Sequence, residues 1–257
     1  MRWLCGLLVG LLAGIACAGA PPRTLVLAAE AFPPHVFMLQ GQPRGFDYEV
    51  CEQLLRAMGY RTRLEIMPWR RALLEARAGR VDGLLGVGRG ALIERESFLD
   101  FPDEPLSGTR AALYFLRAKP FVYDGLFTLK GKSVAVLQGR SYAADFMAAP
   151  YFRREPALNP EQSLRMLLAG RVDLALVDVA VGVYLSEQQG LTERIARDGA
   201  TLSSSRLYLA FSRQSGHDGA LSRDFSRRLT AFKHSQVYLE ILSRYGLSPE
   251  MVKAPEP

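Results

Sequence analysis

Apolar and polar positions along the chain alternate between strand-like and helix-like periods. TLVLAAE at 24–30 predicts a buried strand, and GFDYEVCEQLLRAMGY at 45–60 predicts an amphipathic helix ended by its glycine. RTRLEIM at 61–67 predicts the next strand, PWRRALLEARAG at 68–79 a second helix, and VDGLLGV at 81–87 a third strand. This β-α-β-α-β order is typical of a mostly parallel sheet covered by helices.

The pentapeptide AGRVD occurs twice, at 78–82 and 169–173, and each copy leads into an apolar run. We expect the glycine to end a helix, the arginine to lie near the negative helix end, and Val-Asp to begin a strand. Before the second copy, GKSVAVLQG predicts a strand, SYAADFMA a short helix and PEQSLRMLLAG a longer one. The repeat is therefore architectural and predicts two similar lobes.

Two further stretches, TRAALYFLRA at 109–118 and SRLYLAFSR at 205–213, predict extended segments that cross between the lobes. The C-terminal segment carries apolar residues on one helical face, namely Leu221, Phe225, Leu229 and Phe232. We therefore expect a first lobe made of residues 21–110 and 205–257, a second lobe made of residues 111–204, and a two-strand hinge.

Residues 1–20 have the pattern of a secretory signal peptide, with a positive start, an apolar middle and small residues at the end. Cleavage is expected after Ala18, because a cut two residues later would leave Pro21 behind it. A membrane anchor is the first alternative, although the run is short of the ~20 apolar residues that a spanning helix needs. Lipid attachment at Cys17 is the second, although Gly14 stands where leucine is expected. The mature protein is expected in the periplasm.

Composition excludes several classes of function. The net charge is +6, but the basic residues are scattered, so nucleic acid is not an expected partner. Cys51 is alone outside the leader, so we expect a buried thiol and no internal disulfide. The three histidines form no cluster with metal-ligand spacing, and neither a phosphate loop nor a serine elbow is present. We expect no cofactor, no metal and no catalytic residues.

Ligands of open α/β sheets bind beyond the carboxyl ends of the strands. This rule selects the segments AEAFPP, GVGRGALIER and LQGRSY, together with the residue that follows the strand of the second repeat. The polar and aromatic candidates at the predicted strand ends are Glu30, Phe32, Trp69, Arg89, Arg95, Arg140, Ser141 and Asp178.

Three segments of the first half carry a resemblance to a known family by their order and spacing. They are GFDYEVCEQLLRAMG, MPWRRALLEARAGRVDGLLGV and a loop that ends in ER before FLDFPDEPL. Together they resemble the bacterial extracellular solute-binding proteins of family 3, the periplasmic receptors of polar amino-acid importers. The resemblance spans essentially the whole mature chain. It implies a type II periplasmic-binding-protein clamshell, expected to be a monomer, that captures an amino acid or related carboxylate and delivers it to an inner-membrane ABC-type permease.

The resemblance also implies roles for individual residues. Arg95 matches the arginine that grips the ligand carboxylate, and Asp178 matches the aspartate that holds the ligand ammonium. The turn 139–141, which contains Arg140 and Ser141, matches a segment that helps bind the carboxylate, while Phe32 and Trp69 match aromatic walls. The pairing is physically sensible, because the guanidinium fork of arginine fits a carboxylate.

Departures from the family pattern affect specificity. Gly90 stands where the family usually has Ser or Thr, and Arg140 replaces a small hydroxyl residue. Arg89 adds a further positive charge, and the loop before Arg95 is one residue longer than usual. We therefore hypothesise a ligand with more negative charge than a neutral amino acid, such as an acidic amino acid or dicarboxylate. Glu30 completes the predicted ligand-binding set.

Structural alternatives remain open for these residues. Arg95 has Glu96 and Asp100 as neighbours for a surface ion pair, Asp178 is well placed to cap the following helix, and Trp69 suits a core position.

Two other functions also remain open. A sensory protein would report closure to a membrane receptor instead of a permease. A lyase on the same fold would need a carboxylic acid in the cleft, for which Glu30 is the remaining candidate, so we do not expect an enzyme.

Overall fold

The chain forms strands and helices in alternation, as its apolar pattern predicts. The computed structural model describes residues 22–89, 97–138, 142–217 and 219–255. The strands are β1 (Thr24–Ala29), β2 (Phe37–Leu39), β3 (Gln42–Arg44), β4 (Arg61–Ile66), β5 (Gly83–Gly88), β6 (Leu99–Asp100), β7 (Ser107–Leu116), β8 (Ser133–Leu137), β9 (Arg153–Ala157), β10 (Leu174–Asp178), β11 (Ile195–Arg197) and β12 (Ser203–Ser212). The helices are α1 (Phe46–Ala57), α2 (Trp69–Arg77), α3 (Ala144–Ala148), α4 (Pro160–Leu168), α5 (Val179–Gln188), α6 (Ala220–Phe232), α7 (Gln236–Ser243) and α8 (Pro249–Val252).

The larger sheet runs in the order β4-β1-β5-β12-β7-β10-β8-β9. β1 pairs in parallel with β4 and β5, and β8 pairs in parallel with β9 and β10. These two parallel groups define the first and the second lobe, and helices cover both, as the sequence predicts. The predicted two-lobed α/β architecture is therefore confirmed.

Two ten-residue strands connect the lobes. β7 and β12 pair with each other in antiparallel fashion over five residues each. Beyond that shared stretch, β12 continues along β5 in the first lobe and β7 continues along β10 in the second. This confirms the predicted two-strand hinge, and the predicted boundaries at 110/111 and 204/205 fall inside these strands.

Each AGRVD segment ends a helix and is followed directly by a strand, β5 after the first copy and β10 after the second. Gly79 and Gly170 adopt left-handed backbone angles, with φ of 70° and 66°. The N–H of Gly79 donates to the carbonyl of residue 76 and that of Arg80 to residue 75, and the second copy repeats this pattern at Gly170 and Arg171. This is the Schellman arrangement, which satisfies the last helix carbonyls. The predicted role of the repeat is confirmed.

The C-terminal helices return to the first lobe. Leu221, Phe225 and Leu229 of α6 are buried in the same core as Cys51 and Leu55 of α1. The apolar face predicted for the tail therefore covers the outer helix of this lobe. Cys51 is fully buried, and burial raises the pKa of its thiol well above the ordinary range.

The sequence pattern missed the hairpin of β2 and β3 and the edge strand β9. The hairpin strands have three residues each, which is too short for a visible alternation. β9 carries Pro156 and two arginines and pairs with β8 alone in the described part of the sheet, a position that tolerates proline. Predicted strand ends also ran one or two residues too long, as at 131–139, where β8 spans Ser133–Leu137.

Candidate functional site

A cleft of about 480 Å³ lies between the two lobes. The first lobe contributes the residues that follow β1, the beginning of α2 and the end of β5, while the second contributes the ends of β8 and β9. Thr109, Ser205 and Leu207 of the hinge strands form its base. The cleft therefore lies where the topological rule predicts a ligand, at the carboxyl ends of parallel strands.

Three of the predicted residues line this cleft: Glu30, Phe32 and Trp69. Glu30 is exposed, while the two aromatic side chains are half-buried. Apolar neighbours from both lobes, Leu85 and the exposed Leu158, extend the aromatic walls. The cleft thus combines apolar walls with a carboxylate, a composition suited to a small polar solute.

Four other predicted residues, Gly90, Arg95, Arg140 and Ser141, lie outside the described residues. Their part in binding stays a prediction. Gly88 and Gln138, which lie at or near the ends of the described ranges 22–89 and 97–138, line the cleft.

Arg89, the extra positive charge considered for the ligand, is exposed. Its guanidinium lies 5.6 Å from the ring centroid of Phe101, and it is not among the residues that line the described cleft. The structure therefore gives Arg89 a surface position against an aromatic ring, and this residue does not support the more negative ligand.

Asp178 is bound to the backbone on both sides. One carboxylate oxygen accepts the N–H of Val181 at 3.1 Å, which confirms the predicted N-cap of α5. The other accepts the N–H of Arg110 in the hinge strand β7 at 2.8 Å. Asp178 is not among the residues that line the described cleft, and its side chain is 14% exposed.

His35, which the sequence did not single out, lies between two carboxylates. It is fully buried, its Nδ1 is 2.9 Å from Asp47 Oδ2, and its Nε2 is 3.9 Å from Asp178 Oδ1. The second distance is too long for a hydrogen bond, so Asp178 acts on this ring through its charge. Ser107 also donates its hydroxyl to Asp47, at 2.9 Å.

The imidazole of His35 also stacks on the aromatic wall of the cleft. The Phe32 and His35 rings are parallel within 1°, with centroids 4.4 Å apart, and Phe46 packs against the histidine as well. Burial by itself lowers the pKa of His35, but the carboxylates of Asp178 and Asp47 outweigh it and raise that pKa to about 9. The two carboxylates therefore favour the imidazolium form of the ring.

The position of His35 had a signal in the sequence, since it directly follows the Pro-Pro pair after the first strand. Its partners are 12 and 143 residues away along the chain, so no spacing rule reveals them. Within the described ranges, no group of three or more His, Cys, Asp or Glu side chains is arranged to hold a metal ion. No described helix is long and apolar enough to span a bilayer.

Solved structures with the same two-lobed fold align with nearly the whole chain. A histidine kinase sensor domain with similarity to periplasmic binding proteins has a TM-score of 0.64 and 24% identity, covering 91% of this chain and 99% of that one. An ancestral arginine-binding protein bound to arginine gives 0.63 and 21%, covering 88% and 99%. The unliganded, open L-cystine solute receptor of Neisseria gonorrhoeae gives 0.70 and 20%, covering 87% and 92%. At these identities the likeness shows the fold, and it confirms the type II periplasmic-binding-protein architecture.

Sequence comparison identifies the family. A search of curated protein sequences found no match to this chain. The profile of a family described as bacterial extracellular solute-binding proteins, family 3, matches residues 25–248, which include both lobes and the hinge. The chain therefore belongs to the family 3 bacterial extracellular solute-binding proteins.

Proposed function

We propose that this protein captures a small carboxylate-bearing solute in the periplasm and delivers it to an ABC-type permease in the inner membrane. The observation that carries the proposal is the cleft between two hinged lobes, lined by Glu30, Phe32 and Trp69 at the carboxyl ends of parallel strands. The family supports solute binding. Relatives that bind arginine or cystine support a solute of amino-acid size. The leader, with cleavage after Ala18, would export the chain.

Closure around the solute is the proposed mechanism. The lobes are connected through β7 and β12, and hinge strands of this kind let two rigid lobes close on a ligand. A solute that contacts both lobes favours the closed state by its extra contacts there. Closure would then present a changed surface to the permease.

Carboxylate binding is assigned to Arg95, with help from Arg140, Ser141 and Gly90, as the family resemblance implies. An arginine bound to a carboxylate contributes about 1.5–3 kcal/mol, so its loss would weaken binding at least tenfold. The wall residues Phe32 and Trp69 would exclude water from the solute.

A thermal-shift panel tests the proposal. The chain without residues 1–18 is refolded free of ligand and screened with neutral and acidic amino acids, dicarboxylates and polyamines. A bound solute at ~100 times its Kd should raise Tm by roughly 5–10 °C. Arg95→Ala should reduce the shift to about half or less, because an at least tenfold weaker affinity leaves the solute at no more than ~10 times Kd. The matched variant Arg89→Ala should keep the full shift. If no compound shifts Tm, or if Arg95→Ala binds as well as the wild type, the proposal is wrong.

A sensory role is the second candidate, favoured by the likeness to a histidine kinase sensor domain over 99% of that domain. In that case the closed form would bind a receptor instead of a permease. Uptake of the radiolabelled solute distinguishes the two roles. Cells lacking this protein should take up less solute if it serves a permease, and as much as the parent strain if it serves a receptor.

A further inference from the structure

The family resemblance assigns the ligand ammonium to Asp178, but in the structure its carboxylate already has other partners. Both oxygens accept backbone N–H groups, from Val181 and Arg110, and the imidazole of His35 lies 3.9 Å from one of them. Each contact comes from a different part of the chain, so Asp178 is held from three directions.

The charges around His35 balance without a ligand. Asp47 lies in the first turn of α1 and Asp178 caps α5, so each carboxylate is next to the positive end of a helix. The two helix ends together contribute about one positive charge, and the imidazolium supplies a second, against two carboxylates. These partners oppose the negative charge of Asp178 and so weaken its attraction for an ammonium.

We propose that His35 is a built-in counter-cation for Asp178, so that the cleft favours carboxylate ligands that carry no ammonium group. The inference rests on the proposed function and specifies its ligand class. Phe32 lines the cleft, and the His35 ring stacks directly behind it, with the two ring centroids 4.4 Å apart. A positive charge on this ring would be one aromatic ring away from the cleft, where it would favour an anion and oppose the carboxylate of Glu30.

His35 is also a contact between the lobes. Asp47 belongs to α1 in the first lobe, while Asp178 ends β10 in the second. The imidazolium therefore stabilises one relative position of the lobes, beside the hinge strand that carries Ser107.

Three buried titratable groups face the two carboxylates of this cluster. Cys51 and Tyr238 face Asp47, and Tyr114 faces Asp178. Burial raises the pKa of all three above its ordinary value. A titration seen at this cluster near pH 9 would therefore belong to His35.

The first experiment measures the charge of His35 without any ligand. Long-range ¹H–¹⁵N NMR of the leaderless wild type at pH 7.5 reports the protonation of each imidazole, and His35→Asn assigns the signal. We expect an imidazolium that titrates at about 9, the pKa that the two carboxylates give this ring. A neutral His35 ring at pH 7.5 would overturn the proposal.

The second experiment measures the ligand preference by calorimetry, with succinate against L-aspartate and glutarate against L-glutamate. Wild type should bind each dicarboxylate at least as tightly as its amino acid. His35→Asn keeps an amide donor for Asp47 but removes the charge, so the preference should move toward the amino acids by about tenfold or more. The control is His217→Asn. His217 lies 2.8 Å from Asp82 and is not among the residues that line the cleft, so this variant should leave the ligand preference unchanged.

The outcomes separate this inference from the proposed function. Tighter binding of the amino acids by wild type, or an unchanged preference in His35→Asn, overturns the inference and leaves solute binding intact. Failure of all four compounds to bind also overturns the inference, whereas the proposed function fails only if no compound of the thermal-shift panel binds.

Discussion

The two AGRVD segments share a local structure but differ in what surrounds them. Both end a helix with a left-handed glycine, and both place an aspartate opposite a neighbouring strand. Asp82 accepts the N–H of Val26 at 2.7 Å, and Asp173 accepts the N–H of Ser133 at 2.8 Å. In each case the aspartate N–H donates back to the carbonyl of the same residue. This reciprocal pair aligns the new strand with its parallel partner.

The differences come from the chain that returns through the hinge. A Cβ added at Gly79 would lie 2.5 Å from the carbonyl oxygen of Gln214, whereas at Gly170 no described atom beyond its chain neighbours would lie within 4 Å. Asp82 is also 2.8 Å from His217, which follows β12, while the second aspartate bonds only to Ser133 among the described residues. The same pentapeptide therefore forms the same turn in both lobes. The tertiary neighbours of each copy decide how much its residues contribute to the stability of the fold.

The largest expected difference in stability is between alanine substitutions at the two glycines. Gly170→Ala should lower the free energy of unfolding by about 1–2 kcal/mol, the cost of an L-residue in the left-handed region. Gly79→Ala adds a clash with backbone, so its loss should reach about 3 kcal/mol or more. Urea denaturation of both variants checks this. Equal losses would show that the segment after β12 does not constrain the first turn.

A smaller difference is expected between the aspartates. Asp82→Ala should cost about 3 kcal/mol and Asp173→Ala about 2 kcal/mol, because the first also leaves the nearly buried His217 without its carboxylate. A double-mutant cycle between Asp82 and His217 should give a coupling free energy of at least about 0.5 kcal/mol. No coupling, together with equal losses, would contradict the extra contact.

The smallest effect is a dependence on pH at the second segment. The backbone N–H of Ser133 holds the pKa of Asp173 below its ordinary value of 3.8. A group with a lowered pKa stabilises the folded state above its unfolded pKa and loses that contribution as pH falls through the folded value. The stability difference between wild type and Asp173→Asn should therefore be constant near neutral pH and shrink below about pH 4. A difference that is the same at pH 3 and pH 6 would refute this.

Much of the fold was predictable because it depends on the local pattern of apolar and polar residues. Helical stripes, glycine stops and the repeat gave both parallel groups, the hinge strands and the tail helix. Contacts between distant segments were not predictable in this way. His35 joins Asp47 to Asp178 only after the chain has crossed the hinge once, and Gly79 meets Gln214 only after it has crossed twice.

The candidate site divides along the same line. Glu30, Phe32 and Trp69 line the cleft because strand ends meet there, which topology alone predicts. The surroundings of Asp178 depend on a backbone N–H of β7 and on a buried histidine, and neither has a local pattern in the sequence.

The central claim is that a solute held between the lobes favours their closure. Spin labels at Leu74→Cys on α2 and Met147→Cys on α3, both exposed and in different lobes, report the separation of the lobes by double electron–electron resonance. Cys51 is buried and should not be labelled. The solute found by the thermal screen should shorten the 74–147 distance and leave unchanged a control pair at Leu39 and Leu74, both in the first lobe. A 74–147 distance unchanged at saturating solute would contradict the account.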